Sequence, residues 1–248
     1  MISMPSSITD GINKEYDTKV DFNKLSAWEG GAFSQGYIPW WPYLDRNNAP
    51  RIVALPDSSE RIGPRIKGEL GGRPDNKSGA TVGVGVDLGQ YKQNTYFKKL
   101  DLHNKGESKL SAEELNLLKE KIKPYLEKTG GEACKYLKDN PLNLNEKEVN
   151  FLNKVAHEDV LTDAIEKYER FAVKPPKDFS HNPPREYVVT APKKFTNLTQ
   201  QQQTALISNT YQYGSPKPSL LVAIATGDRT KIPATREHDY LFNSMPAP

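Results

Sequence analysis

The chain has a single cysteine, Cys134, among its 248 residues. One cysteine excludes an internal disulfide framework and leaves the redox compartment open. Histidine is also scarce, and its four positions lack the spacing of metal ligands, which argues against a zinc site. These positions are His103, His157, His181 and His238.

Long apolar runs are missing as well. No segment approaches the roughly 18 apolar residues of a membrane-spanning helix, so membrane insertion is not expected. The N-terminal Met-Ile-Ser-Met-Pro is not a basic segment followed by an apolar one, and no signal peptide is visible. If the protein acts outside its producing cell, a dedicated export system or cell lysis would have to release it.

Neither positive nor negative charge is in large excess. The chain carries 34 basic and 31 acidic residues, a net charge of +3, which is too balanced for strong attraction to nucleic acid. A mildly basic protein is compatible with a polyanionic substrate. The length allows one domain of two lobes or two small domains.

The most informative segment is 78–89, which reads Ser-Gly-Ala-Thr-Val-Gly-Val-Gly-Val-Asp-Leu-Gly. Its valines alternate with glycines and Asp87, and this predicts a strand with one buried face. Thr81 and Asp87 share the other face with only glycines between them. Glycines in a strand favour close approach by a backbone or a ligand, so the segment is interpreted as one wall of a cleft. A glycine-rich hairpin without a ligand is the alternative.

A nucleotide-binding loop is rejected for this segment. The fingerprint requires a strand before its glycines and a helix after them. Here the glycines lie inside the strand pattern, and no βαβ unit surrounds them.

A short helix is predicted from Asp21 to Glu29, with Asp21 as its N-cap and Gly30-Gly31 as its end. Glu29 would therefore lie at the C-terminal end of a helix, where the macrodipole disfavours an anion. Partial burial would raise its pKa further. Such a carboxyl group suits proton donation, although an ordinary exposed glutamate is the alternative.

Residues 32–77 form an irregular segment rich in proline and aromatic residues. Its rings could stack on sugars or pack as a small core that holds the loop, and packing is favoured. The rings belong to Tyr37, Trp40, Trp41 and Tyr43.

The rest of the chain is predicted to be mainly helical. Capping boxes begin two helices, one at Ser111 with Glu114 and one at Thr199 with Gln202. A long helix over 145–172 contains His157-Glu158-Asp159, interpreted as a solvated face. Further helices are predicted over 132–138 and 218–225, whereas 173–197 is expected to be a surface excursion.

The helix that begins at Thr199 carries Asn209, Gln212 and Tyr213 on adjoining turns. Their amide and phenol groups are of the kind that hold sugar hydroxyls. We therefore predict that they contact a carbohydrate.

Three motifs together resemble the phage-type lysozyme superfamily, and most closely the pesticin-like lysozyme domains of bacterial toxins. The first is the helix that ends Ala-Trp-Glu29-Gly-Gly, and the second is Thr81-Val-Gly-Val-Gly followed by Gly-Val-Asp87-Leu-Gly. The third is the late helix that begins Leu198-Thr-Gln. The resemblance extends over about residues 22–230.

One departure from the family pattern concerns spacing. Some fifty residues separate Glu29 from Thr81, more than the family usually has, so 32–77 would be an insertion. Glu60 and Glu69 therefore remain alternative candidates for the acid.

The resemblance implies a mostly helical α+β fold in which a small β-lobe and a larger helical lobe flank a cleft. The β-containing lobe would occupy about residues 30–100 and the helical lobe about 105–248. A single domain is thus expected over 21–248, after a loose lead-in over 1–20.

The resemblance also implies a muramidase that cleaves the β-1,4 bond between N-acetylmuramic acid and N-acetylglucosamine with inversion. Glu29 would be the general acid, and Asp87, helped by Thr81, would hold or activate water on the other face of the sugar. The Glu29 and Asp87 carboxyl groups would be about 6.5–9.5 Å apart to leave room for that water. Gln90 and Tyr91, directly after the motif, join the helix residues as predicted substrate contacts. No metal or organic cofactor is expected.

Pesticin-like domains imply an antibacterial toxin or effector that acts in the periplasm or cell wall of a target bacterium. Such a toxin would have an immunity protein that blocks the cleft, and a secretion-system or bacteriocin delivery partner. A phage endolysin fits the same features. Other functions left open are a catalytically inactive wall-binding module, a chitinase or chitosanase on the same scaffold, and a structural adaptor.

Overall fold

The computed structural model describes residues 4–28, 32–38, 78–178 and 180–245. Glu29 lies outside the described residues, as do Trp40, Trp41, Tyr43, Glu60 and Glu69. The expectations for these residues, and for the 32–77 segment beyond residue 38, stay predictions.

The fold is α+β and mostly helical with small antiparallel sheets, which confirms the predicted class. No helix in the described ranges is long and apolar enough to cross a membrane. The helices are α1 Ser6–Tyr16, α2 Phe22–Trp28, α3 Gln93–His103, α4 Ala112–Ile122, α5 Gly130–Asp139, α6 Glu146–Val173, α7 Gln200–Tyr213, α8 Pro218–Thr226 and α9 His238–Phe242. The strands are β1 Phe33–Tyr37, β2 Thr81–Gly83, β3 Val86–Asp87, β4 Lys177–Asp178 and β5 Arg185–Glu186.

The chain divides into two compact units. Unit 1 consists of Met1–Pro5 and Glu29–Val155, and unit 2 of Ser6–Trp28 and Ala156–Pro248. Helix α6 contributes its first part to unit 1 and the remainder to unit 2. The prediction of a single lysozyme-like domain over 21–248 remains a prediction.

Unit 1 contains a three-stranded antiparallel sheet in the order β1-β2-β3. Helix α4 begins at the predicted capping box of Ser111 with Glu114. It passes into a 3-10 turn at Pro124, because proline cannot donate the next helical hydrogen bond. The fully buried side chains that form the core of this unit include Leu88, Leu100, Leu118, Ile122, Leu137, Val149 and Leu152.

The single strand predicted over residues 81–87 is wrong, because the segment folds into the hairpin β2–β3. Gly83 and Gly85 adopt φ values of +59° and +105°, a region that L-residues rarely occupy. The Gly85 N–H donates to the Val82 carbonyl at 3.2 Å and closes the turn. The predicted burial of the three valines is confirmed, since Val82, Val84 and Val86 are buried.

Unit 2 contains α7 and α8, whose first and last residues are close to those predicted from the sequence. Thr199 and Gln202 form the predicted capping box at the start of α7. Left-handed glycines end both helices, with φ of +72° at Gly214 and +73° at Gly227. Core side chains of this unit include Tyr168, Phe195, Leu198, Leu206, Leu220, Ile224 and Leu241.

The loose lead-in expected over 1–20 is wrong, because helix α1 occupies Ser6–Tyr16. Ile8 and Ile12 are buried, and their i, i+4 spacing places them on one helix face. Asn13 in this helix holds the segment that follows, because its Oδ1 accepts hydrogen bonds from the Thr18 hydroxyl and the Val20 N–H. A short apolar stripe therefore suffices to dock a helix of otherwise polar composition.

The interpretation of His157-Glu158-Asp159 as a solvated face is also wrong. Helix α6 continues through this triplet without a break, and the exposed fractions of His157 and Glu158 are 1% and 0%. The rings of Phe22 and Tyr211 contact the imidazole at centroid distances of 5.1 and 5.8 Å. Partners that are remote in sequence thus decide the burial of this face.

Candidate active site

Thr81 and Asp87 lie directly opposite each other in the β2–β3 hairpin. They are Cα partners in the antiparallel register, so they are cross-strand neighbours rather than positions six residues apart along one strand. Thr81 is buried, and its hydroxyl donates to the Gly79 carbonyl at 3.2 Å. The hairpin therefore brings together two of the three predicted catalytic residues.

The carboxylate of Asp87 is held by three hydrogen-bond donors. Its Oδ1 accepts the Gly79 and Gly89 N–H groups at 2.9 and 3.0 Å, and its Oδ2 accepts Gln90 Nε2 at 3.3 Å. Two backbone donors on one oxygen fix the orientation of the group. Among the described residues, the donor to the second oxygen is the side chain of Gln90, which is itself exposed.

The glycines beside Asp87 allow three backbone segments to meet. A Cβ atom on Gly79 would lie within 2.5 Å of the Gly89 Cα and 2.6 Å of the Lys128 carbonyl. A Cβ on Gly89 would collide with the same carbonyl. Because only glycine permits this approach, the motif delivers the two backbone N–H groups to Asp87.

Burial raises the pKa of the Asp87 carboxyl above its ordinary value. The hydrogen bonds from Gly79, Gln90 and Gly89 lower it in part, because they favour the charged form. The net result is a half-buried carboxylate that is more basic than a free aspartate. A positioned carboxylate of this kind can accept a proton from water.

Asn153 on α6 holds the turn of the hairpin. Its Oδ1 accepts the Val84 N–H at 2.9 Å, and its exposed fraction is 0%. A Cβ on Gly83 would collide with the same oxygen. Asn153 was not predicted from the sequence, although a polar side chain between the buried positions Leu152 and Val155 was a usable signal.

Gln90 and Tyr91 follow Asp87 in the segment between β3 and α3, where Gln90 ends a 3-10 turn. The Tyr91 ring stacks on the buried Tyr96 ring with 4.1 Å between centroids, and the Lys99 ammonium lies 5.4 Å from the Tyr91 centroid. Tyr91 is half-buried and Gln90 is exposed. Both residues are thus close to Asp87 in the chain, and their predicted contact with substrate stays a prediction.

The predicted contacts on α7 fall into two groups. Asn209 is buried, and its Oδ1 accepts the Lys217 N–H at 2.7 Å, which ties α7 to the start of α8. Its Nδ2 has no hydrogen-bond partner among the described residues. Gln212 and Tyr213 are exposed, and the Lys217 ammonium lies 4.0 Å from the Tyr213 ring centroid.

Glu29 is outside the described residues, but the residue before it is anchored within unit 2. The Trp28 carbonyl accepts Arg236 Nη1 at 3.0 Å. Arg236 Nε also donates to Ser208 Oγ at 3.1 Å and to the buried Glu237 Oε1 at 3.2 Å. No local pattern in the sequence indicated that Arg236 anchors Trp28, because the two residues are 208 positions apart.

Comparison with protein families identifies the class of this fold and hairpin. The model of the family described as "Pesticin: Bacterial toxin homologue of phage lysozyme, C-term" matches residues 66–228, which are 163 of the 248 residues. The chain therefore belongs to the pesticin C-terminal family of bacterial toxin domains homologous to phage lysozyme. The matched range includes Thr81, Asp87 and the α7 residues and begins after Glu29. None of the curated proteins matches the chain.

Proposed function

We propose that this protein is a peptidoglycan muramidase that hydrolyses the β-1,4 bond between N-acetylmuramic acid and N-acetylglucosamine with inversion. The observation that carries the proposal is the Asp87 carboxylate, fixed by two backbone N–H groups opposite Thr81. Membership of a family of toxins homologous to phage lysozyme supports the same reaction class.

Asp87 acts as the general base in this proposal. Its Oδ1 is occupied by the Gly79 and Gly89 N–H groups, so Oδ2 is the oxygen that accepts the proton from water. A raised pKa strengthens the base. Thr81 lies across the hairpin, where its hydroxyl oxygen can accept a second hydrogen bond from the same water.

Glu29 acts as the general acid and protonates the leaving oxygen. This role rests on the resemblance and on the place of Glu29 in the sequence, directly after the last residue of α2, since a helix C-terminus disfavours an anion. Inversion requires room for water between the two carboxyl groups. We expect a separation of about 6.5–9.5 Å between the Glu29 and Asp87 carboxyls, and a value near 5 Å would indicate retention.

The test is digestion of purified peptidoglycan by the wild type, Glu29→Gln and Asp87→Asn, with products identified by mass spectrometry. Two exposed residues of unit 1 supply matched control variants, Glu107→Gln and Asp139→Asn. We expect reducing-end muramic acid from the wild type and both controls, and a loss of about 10²–10⁴-fold in the two site variants. The anomer first released, read by NMR, reports inversion or retention.

Each other outcome has a distinct meaning. Activity that survives in Glu29→Gln would show that another residue is the general acid, and Glu60 and Glu69 would then be substituted. A wild type that binds peptidoglycan without releasing products would be a wall-binding module. Faster cleavage of chitin oligomers than of peptidoglycan would indicate a chitinase-like enzyme.

We further propose that the protein acts as an antibacterial toxin in the periplasm or cell wall of its target. The test is expression in a susceptible bacterium with and without an attached export signal. Lysis is expected only on export, and not with Asp87→Asn. We also propose that the producer makes an immunity protein that blocks the cleft, and co-expression of such a protein should prevent lysis.

A further inference from the structure

A groove on unit 2 is lined by none of the residues assigned above to catalysis. It has a volume of about 480 Å³ and is formed by the last turns of α6, the Pro175-Pro176 segment and the turn between α7 and α8. All of its lining residues belong to unit 2. A volume of this size is within the range of about 300–1,000 Å³ that is typical of ligand pockets.

The charged residues that line the groove are all basic. Lys167, Arg170 and Lys174 lie three and four residues apart, a spacing that places them on one helix face. The Lys174 N–H continues the helical hydrogen bonding to the Arg170 carbonyl at 3.0 Å. Of the described residues that line the groove, none is acidic.

Nearby acidic residues neutralise this charge only in part. Lys167 is paired with Asp163 at 2.7 Å. Arg170 lies 3.8 Å from Glu166, and both side chains are about 70% exposed, so solvent weakens their attraction. Lys174 makes no ion pair with any residue that the structure describes. Arg170 and Lys174 therefore offer positive charge to a ligand.

Apart from Ser215, the remaining lining residues are apolar, and four of them are prolines. Phe171, Pro216 and Leu221 are buried, and Pro176 and Pro218 are exposed at the rim. Proline has a fixed φ and no N–H, so this surface offers few polar partners and loses little entropy on binding. A fitting ligand combines carboxylates with small apolar groups.

We propose that this groove binds the short peptides attached to the glycan strands of peptidoglycan. Those peptides carry free carboxylates and alkyl side chains, whereas the sugar hydroxyls are neutral. Arg170 and Lys174 would bind the carboxylates, and Phe171 and the prolines would contact the alkyl groups. The inference rests on the proposed function for its polymer and adds a second, non-catalytic contact with it.

The test measures binding to two forms of the same polymer. Intact sacculi keep the peptides, whereas amidase treatment releases soluble glycan strands that carry lactyl carboxylates in place of the peptides and that are coupled to beads so that both forms sediment. Every protein carries Asp87→Asn to limit cutting during the assay, and bound protein is measured after sedimentation on ice. The groove variant is Arg170→Gln with Lys174→Gln. The matched control is Lys193→Gln with Lys194→Gln, which removes the same charge from exposed positions of unit 2 outside the groove.

We expect the groove variant to bind intact sacculi about fivefold to twentyfold more weakly, as two exposed ion pairs are lost. The control should bind within about twofold of its parent, and the stripped strands should not distinguish the variants. Equal weakening of groove and control variants would overturn the proposal, since general charge attraction would explain both. Equal loss on stripped strands would also overturn it, because the groove would then not recognise the peptides.

Failure of the proposed function is distinguishable from failure of this inference. Product release is measured separately with proteins that have an intact Asp87. A wild type that releases nothing would exclude the muramidase, while a peptide-dependent binding difference would still establish the groove. Thermal unfolding of each variant verifies that the weakened binding is not caused by loss of fold.

Discussion

Asp87 in unit 1 and His157 in unit 2 are both titratable groups removed from water, yet their surroundings differ. Asp87 is half-buried and accepts hydrogen bonds from two backbone N–H groups and Gln90. His157 is fully buried between aromatic rings, and neither ring nitrogen has a hydrogen-bond partner among the described residues. Burial raises the pKa of Asp87 and lowers that of His157 to about 4.

Burial favours the neutral form in both cases, because a charge loses hydration in a low-dielectric environment. What separates the two groups is the set of directed donors around Asp87 and the solvent that still reaches it. A fixed, partly accessible carboxylate can exchange a proton with a ligand, whereas an enclosed imidazole cannot. A perturbed pKa therefore indicates burial, and only the geometry around it indicates a site.

The largest expected contrast is in turnover. Asp87→Asn should lower kcat/KM by about 10²–10⁴-fold, whereas His157→Gln should stay within about twofold of the wild type at pH 7. Because burial raises the folded-state pKa of Asp87, its ionised form costs native-state free energy at neutral pH. Asp87→Asn should therefore unfold at an equal or higher urea concentration. A folded His157→Gln with a comparable kinetic loss would contradict the comparison.

A second effect is expected in the pH dependence of stability. An unfolded histidine gains its proton near pH 6.5, but folded His157 does so only near pH 4. The free energy of unfolding should thus fall as the pH decreases from about 7 to 4.5, with His157 contributing about 2 kcal/mol over that range. Urea denaturation of the wild type and His157→Leu measures it. An unchanged pH dependence in the variant would show that His157 is not responsible.

The turn of the hairpin provides a third test. Asn153→Ala removes the acceptor of the Val84 N–H and should lower the free energy of unfolding by about 2 kcal/mol. Because the same turn joins Thr81 to Asp87, turnover should also fall. The matched control is Asn150→Ala, since Asn150 is buried on the same helix and its Oδ1 has no partner among the described residues. Equal losses in both variants would argue against a specific role for Asn153.

The smallest expected effect concerns the tuning of Asp87. Gln90→Leu removes a hydrogen bond that lowers the pKa of Asp87, so the pKa should rise. The acidic limb of the kcat/KM profile should move to higher pH by less than about one unit, because an exposed hydrogen bond is weak. Gln93→Leu serves as the control. A shift to lower pH would contradict the assignment of that limb to Asp87.

Local signals predicted the helices well. The capping boxes at Ser111 and Thr199 and the glycine after α8 specify helix ends through contacts within four residues, so one segment contains all the necessary information. The Val-Gly alternation in 81–87 was less informative, since it fits both a strand and a hairpin. The segment forms a hairpin because Gly83 and Gly85 adopt the positive φ values that its turn requires.

The residues that support the candidate site were harder to predict. Asn153 bonds to a residue 69 positions away, and Arg236 bonds to one 208 positions away. No periodicity or motif in one segment can reveal such pairs. The same limit explains the error at His157, whose burial depends on Phe22 and Tyr211.

The amino-acid sequence by itself determined the family, the positions of most helices and the identity of Thr81 and Asp87 as candidate residues. These properties depend on short-range backbone preferences and on motifs that occupy a few consecutive positions. Only the tertiary structure decided that Thr81 lies across a hairpin from Asp87, and that Gly79 and Gly89 direct their N–H groups at one carboxylate oxygen. The physical reason is that hydrogen bonds and burial are set by atoms that folding brings together from distant parts of the chain.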